Sequence, residues 1–136
     1  MDHALRHVKL TETVAASPQI EAQDMAAIAD AGFKVVINNR PDDEALDQPP
    51  SDELRAAAEA AGLEYHYYPL NAFNYPGDDP TAMGALFDDP SRPVFAFCRS
   101  GTRSTNLWIS SRPEGERDAA RQHAQQLGFD VSMSQR

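Results

Sequence analysis

The chain of 136 residues holds one cysteine, Cys98. That excludes an internal disulfide and a cysteine-rich zinc cluster. His3, His7 and His123 lie far apart without metal spacing, and His66 reads as a packed or surface strand residue. Neither a metal nor an organic cofactor is expected. No apolar run approaches the ~20 residues of a membrane span. Met1 to Leu10 carries Asp2, His3, Arg6, His7 and Lys9, which is not the pattern of an apolar signal segment. Lysine is scarce, and the net charge of −9 leaves no general basic face for nucleic acid. The expectation is a reducing, cytoplasmic setting, with no membrane and no nucleic acid among the partners.

What is present suffices for one domain, 1–136, long enough to bury a core without a covalent staple. The acid excess comes in short runs, Asp42-Asp43-Glu44, Asp78-Asp79 and Asp88-Asp89, which read as solvated loops. A negative net charge does not exclude an anionic substrate, because one local arginine can dominate a small pocket.

The pattern alternates between strand and helix. Leu10 to Ala15 alternates weakly, as an edge strand would. Helix formers run from Glu21 to Ala31 and stop at Gly32. Phe33 to Asn38 is a β-branched run that reads as a buried parallel strand. A proline-rich, acidic loop spans Asn39 to Pro50. Ser51 is a candidate N-cap for a helix reaching about Ala61. Leu63 to Tyr68 reads as a strand and Leu70 to Pro80 as a second long loop. Asp79 and Pro80 start a short helix as N-cap and first helical residue. Val94 to Phe97 is apolar throughout, hence a central strand. Helices follow at Ser104 to Ser111 and Gly115 to Leu127. The predicted fold is three-layer α/β, a mainly parallel sheet of four to five strands with helices on both faces.

The chemistry concentrates in Phe97-Cys98-Arg99-Ser100-Gly101-Thr102-Arg103-Ser104. A buried strand ends, a polar loop follows and a helix begins. Ligands of parallel α/β sheets bind just beyond such strand ends. Inward backbone N–H groups of the loop make an anion nest. Gly101 permits angles a side chain would forbid. Arg103 offers a planar fork for an oxyanion, and Ser104 can meet the sulfur or cap the helix. Thiols in fields of this kind ionise more readily than a free thiol, whose value is about 8.5. An inert cysteine at a strand end is the plain alternative; strand, Cys, Gly, Arg, Ser and helix in one register favour a nucleophile.

On these residues the loop resembles the active sites of cysteine-dependent phosphatases and rhodaneses. With Ala29 to Pro41, Glu53 to Pro69 and Phe97 to Trp108, the chain resembles the phosphatase-like domain of the beta-lactamase-hydrolase-like proteins. The resemblance runs from about Thr13 to Trp108. It implies a cysteine-phosphatase-like fold, and the pairing of the Cys loop with Ile37-Asn38-Asn39-Arg40-Pro41 makes it specific. In that family the domain stands alone or precedes a sulfur dioxygenase. The chain ends where a dioxygenase would begin, so such a partner is expected as a separate protein.

Loop length separates two chemistries. Tyrosine and dual-specificity phosphatases place five residues between Cys and Arg; here four, Arg99 to Thr102, lie between Cys98 and Arg103. That is the rhodanese spacing, and the smaller ring suits one sulfane sulfur better than a phosphoryl group. Asn39 and Arg40 follow a strand at the same end of the sheet as Cys98 and are candidates for holding a substrate anion, or else a turn braced by asparagine. A phosphatase also needs a general acid. Asp78 and Asp79 are the candidates, although Asp79 also suits a helix cap.

The leading expectation is a sulfurtransferase that works through a Cys98 persulfide, with Arg103 as its catalytic partner. Arg99, Ser100, Gly101, Thr102, Ser104, Asn39 and Arg40 are expected around a small anionic substrate: thiosulfate, a persulfide or a phosphoester. A minimal phosphatase using phosphocysteine is the alternative. A non-catalytic anion-binding module is the third.

Overall fold

The computed structural model describes residues 5–135; His3 lies outside them. Five strands form one sheet: β1 (Val8–Lys9), β2 (Val14–Ser17), β3 (Val35–Asn38), β4 (Glu64–Tyr67) and β5 (Val94–Phe97). Their order is β1-β2-β5-β3-β4, parallel except for the edge strand β1. Among the described residues there are five α-helices: α1 (Asp24–Asp30), α2 (Ser51–Ala60) and α3 (Pro80–Phe87) between strands, and α4 (Thr102–Ser110) and α5 (Arg117–Gln126) after β5.

Crossover handedness explains the layers. The chain moves one way across the sheet from β2 to β3 to β4, then reverses from β4 to β5. Crossovers of one hand therefore put α1 and α2 on one face and α3 on the other. The strands supply both cores by alternation. Phe95 and Phe97 of β5 meet Met25, Ile28, Leu54 and Ala58 of α1 and α2. Val94 and Ala96 turn to Met83 and Phe87 of α3, Leu107 and Ile109 of α4, and Ala120 of α5. The apolar run of β5 is thus central and covered on both faces.

Several boundaries differ from expectation. The strand expected at Leu10 to Ala15 lies at Val14–Ser17, fully buried between β1 and β5. Leu10 to Thr13 instead turns the chain, with the Leu10 and Thr11 amides both bonded to Val14 O. Ser51 is inside α2 and Pro50 precedes it as cap. The Ser51 hydroxyl pairs with Tyr65 Oη at 2.9 Å, which ties α2 to β4 rather than capping the helix. The Asp79 cap of α3 is as expected: its carboxylate accepts from the Ala82 amide, with Pro80 at the first turn. No helix among the described residues is long and apolar enough to cross a membrane.

In register, Ser17, Phe97 and Asn38 end side by side on β2, β5 and β3. The loops carrying Cys98 and Asn39 therefore leave the sheet together, next to the place where strand order reverses.

Candidate active site

Cys98 follows β5 and is fully buried. Its own amide donates to Ser17 O at 3.2 Å, which anchors the loop root to the neighbouring strand. The chain then folds back, and the Gly101 amide donates to Cys98 Sγ at 3.1 Å. This tight return needs Gly101 at φ +92°, a left-handed conformation costly for a side chain. α4 starts at Thr102 with no side-chain cap. Its positive end thus faces the Cys98 loop, where a sulfur anion or an oxyanion gains most.

Arg103, on the first turn of α4, is fixed from two sides. Its Nη1 donates to Leu70 O at 2.9 Å. Nη1 and Nη2 together clasp Glu44, at 2.7 Å to Oε2 and 2.9 Å to Oε1. The Glu44 carboxylate first, and the Cys98 sulfur behind it, hold the guanidinium above its ordinary basicity despite partial burial. Arg40 joins from the β3 side: its Nε donates to Glu44 Oε1 at 3.1 Å and its Nη1 to Gln19 Oε1 at 2.9 Å. Those guanidinium bonds, that to Arg103 foremost, hold the Glu44 carboxyl below the usual carboxylate range, against the opposing pull of burial. Two arginines and one carboxylate thus converge beside the Cys98 loop.

The remaining candidates separate by depth. Arg99 and Ser100 are exposed at the loop's outer turn, where the Ser100 hydroxyl bonds Thr102 Oγ1. Asn39 and Ser104 are buried and bonded to each other. The Ser104 hydroxyl donates to Asn39 Oδ1 at 2.7 Å, not to sulfur. Asn39 Nδ2 donates to Tyr68 O at 2.8 Å, and its backbone amide donates to Phe97 O. These residues bind the ends of β3, β4 and β5 to α4 behind the loop wall.

Asp78 and Asp79 lie beside Tyr68. Tyr68 Oη donates to Pro76 O and accepts from the Asp79 amide. Burial pushes the Tyr68 hydroxyl up against the lowering effect of the Asp79 amide, and the charges of both aspartates add to the rise. Asp79 caps α3, and among the described residues no hydrogen bond joins Asp78 to the Cys98 loop. A surface hollow of about 400 Å³ lined by Pro80, Ser110 and Arg117 lies at the far end of α4 from Cys98. Among the described residues no group of three or more His, Cys, Asp or Glu side chains could hold a metal.

Sequence reasoning missed Glu44 and Gln19. Glu44 lay in an acidic run read as solvated loop. In fact Asp42 Oδ1 accepts from the Ser51 amide, and Glu44 reaches two arginines. The four-residue spacing from Arg40 to Glu44 was the available signal. Gln19 bonds Arg40 with its side chain, and its amide donates to Arg99 O, linking both loops.

Comparison with known proteins agrees with this architecture. The family profile of the beta-lactamase hydrolase-like protein, phosphatase-like domain, matches residues 5–115. A beta-lactamase hydrolase-like protein of Agrobacterium fabrum is 34% identical over 107 residues, covering 77% of this chain and 24% of its own length. The chain therefore spans about a quarter of that relative. A crystal structure from Neisseria meningitidis, described as a candidate phosphatase, superposes with TM-score 0.73 at 32% identity, covering 91% of this chain and 89% of that one. TpbA of P. aeruginosa, solved in complex with phosphotyrosine, shares the fold with TM-score 0.64 at 18% identity, covering 96% and 78%.

Proposed function

This chain belongs to the phosphatase-like domain family of the beta-lactamase hydrolase-like proteins, and from that premise we propose that it is a cysteine-dependent sulfurtransferase in which Cys98 carries the sulfur. The observation that carries the reading is the short ring from Cys98 to Arg103. It is closed by the Gly101 amide on Sγ, while the Asp79 carboxylate is engaged as the N-cap of α3. The Cys98 thiolate attacks the outer sulfur of an anionic donor such as thiosulfate. A sulfur–sulfur bond forms to Cys98, the donor's own sulfur–sulfur bond breaks, and sulfite leaves with that electron pair. Arg103 and the amides at the start of α4 hold the donor's oxygens and the charge on the departing group. A thiol, sulfite or cyanide then takes the terminal sulfur and restores the thiolate. Sulfite leaves as a stable anion, so the first step needs no proton donor.

A phosphatase is the second reading, favoured by the solved relatives: the Neisseria structure is described as a candidate phosphatase and the TpbA complex holds phosphotyrosine. Cys98 would attack phosphorus, and water would hydrolyse the phosphocysteine. An alkoxide leaving group then calls for a general acid. The carboxylate beside Arg103 is Glu44, which its arginine partners keep ionised.

Initial rates on thiosulfate plus cyanide and on an aryl phosphate, measured side by side with a Cys98→Ser control, test the choice. Thiocyanate release that vanishes in the control is the expected result. Cys98-dependent phosphate release alone would make phosphatase the correct reading.

A further inference from the structure

The contact least explained by either chemistry is that of Glu44. A substrate oxyanion should bind the fork of Arg103, yet in the structure a carboxylate of the protein already takes it with two hydrogen bonds. The same Glu44 Oε1 also accepts from Arg40 Nε. We propose that Glu44 is an internal stand-in for the substrate anion: its carboxylate sits in the Arg40–Arg103 seat, an incoming tetrahedral dianion displaces it, and Glu44 thereby sets how tightly the site binds such dianions. This rests on the anion seat of the reading above, not on which group is transferred.

Depth supports displacement. Side-chain exposure rises outward, from a Cys98 residue at 0% through Arg103 at 16% to Glu44 at 28%. A donor cannot reach a fully buried sulfur without something giving way, and the Arg103–Glu44 pair is the polar contact on the solvent side of Arg103. The loop from 39 to 50 also suits a moving part. It contains no helix or strand, and Leu46 near its middle is fully exposed. Its ends are pinned: the Asp42 amide donates to Tyr67 Oη, Asp42 Oδ1 accepts from the Ser51 amide, and Gln48 Nε2 donates to Pro41 O. Beside Glu44, Asp43 holds a left-handed φ of +68°. Such backbone is disfavoured for residues other than glycine, though least for Asp and Asn, and persists where neighbours hold it. Releasing Glu44 from its arginines removes one of those holds.

A fixed clamp that only orients Arg103 would behave oppositely. A stand-in lowers apparent anion affinity by the fraction of time it occupies the seat, so removing it tightens binding. Removing a clamp loosens it.

Inorganic sulfate titrated calorimetrically into Cys98→Ser, Cys98→Ser/Glu44→Gln and Cys98→Ser/Glu44→Ala separates the two without needing turnover. The expected result is a dissociation constant about tenfold lower with alanine, and an intermediate fall with glutamine, which can still accept from the arginines. In the Cys98→Ser chain itself, saturating sulfate should speed hydrogen exchange across Asp42 to Gln48. Equal or weaker sulfate binding in both Glu44 variants, or unchanged exchange there, overturns the proposal. Failure of all three chains to bind sulfate overturns the anion seat with it. Tighter binding in the Glu44 variants alongside absent sulfur transfer leaves this proposal standing and removes only the sulfurtransferase reading.

Discussion

Replacing Asn39 with alanine deletes the side-chain amide that joins the ends of β3 and β4 to α4. Two hydrogen bonds go: Nδ2 to Tyr68 O at 2.8 Å and Ser104 Oγ to Oδ1 at 2.7 Å. Each is worth about 1 kcal/mol net. Ser104 is buried, so its hydroxyl would be stranded without its acceptor, at a further cost of about 1 kcal/mol or more. The sum is a destabilisation of about 2–4 kcal/mol, or a fall of roughly 8–16 °C in melting temperature for a chain of this size. Chemical denaturation followed by circular dichroism would measure it. The Asn39→Ala/Ser104→Ala pair should cost about 2 kcal/mol less than the sum of the single changes, because the bond they share is lost only once and removing the hydroxyl relieves the stranding. A single-variant loss under about 0.5 kcal/mol, or additive losses, would refute the buried network.

Other perturbations address separate parts of the site. Gly101→Ala should cost about 1–2 kcal/mol through backbone strain at φ +92° rather than through a clash, since the added Cβ would meet Phe129 and Ser17 only at ordinary contact distance. Thermal melting would show the loss, and an unchanged melting temperature would argue against the left-handed turn. Asp79→Ala should lose about 1 kcal/mol as a missing N-cap while kcat stays unchanged; a large fall in kcat on an aryl phosphate would instead restore Asp79 as a general acid. Glu44 has a carboxyl depressed in the folded state, so its stabilising effect is fully present above its ordinary value of 4.5 and fades as pH falls through the folded one. The stability difference between wild type and Glu44→Gln should therefore shrink on acidification below that ordinary value; a difference that grew there would contradict the assigned ion pair.

Much of the fold was legible because its signals are local. The apolar run of β5 could only be a strand covered on both faces, and Asp79-Pro80 marks a helix start through cap chemistry alone. The strand at Val14–Ser17 was misplaced by a few residues because Ala15, Ala16 and Ser17 carry little periodic signal; pairing with β5 fixes their register. Ser51 looked like an N-cap, and its partner is Tyr65, a residue in the next strand that local pattern does not indicate. At the site, Cys98, Gly101 and Arg103 stand out because loop geometry demands those residue types at those spacings. Glu44 does not, since its role depends on Arg103, far along the chain and brought close only by the meeting of two loops. An acidic run in a loop has the same appearance whether water or a guanidinium receives it.

Intact mass spectrometry of the protein after exposure to thiosulfate tests the central claim most directly, because it observes the proposed intermediate itself. The expected result is an adduct about 32 Da heavier, one sulfur atom held as a persulfide, that disappears on adding cyanide and never forms in Cys98→Ser. A wild-type protein that takes up no sulfur yet hydrolyses an aryl phosphate through Cys98 would contradict the sulfurtransferase reading and assign the site to phosphoryl chemistry.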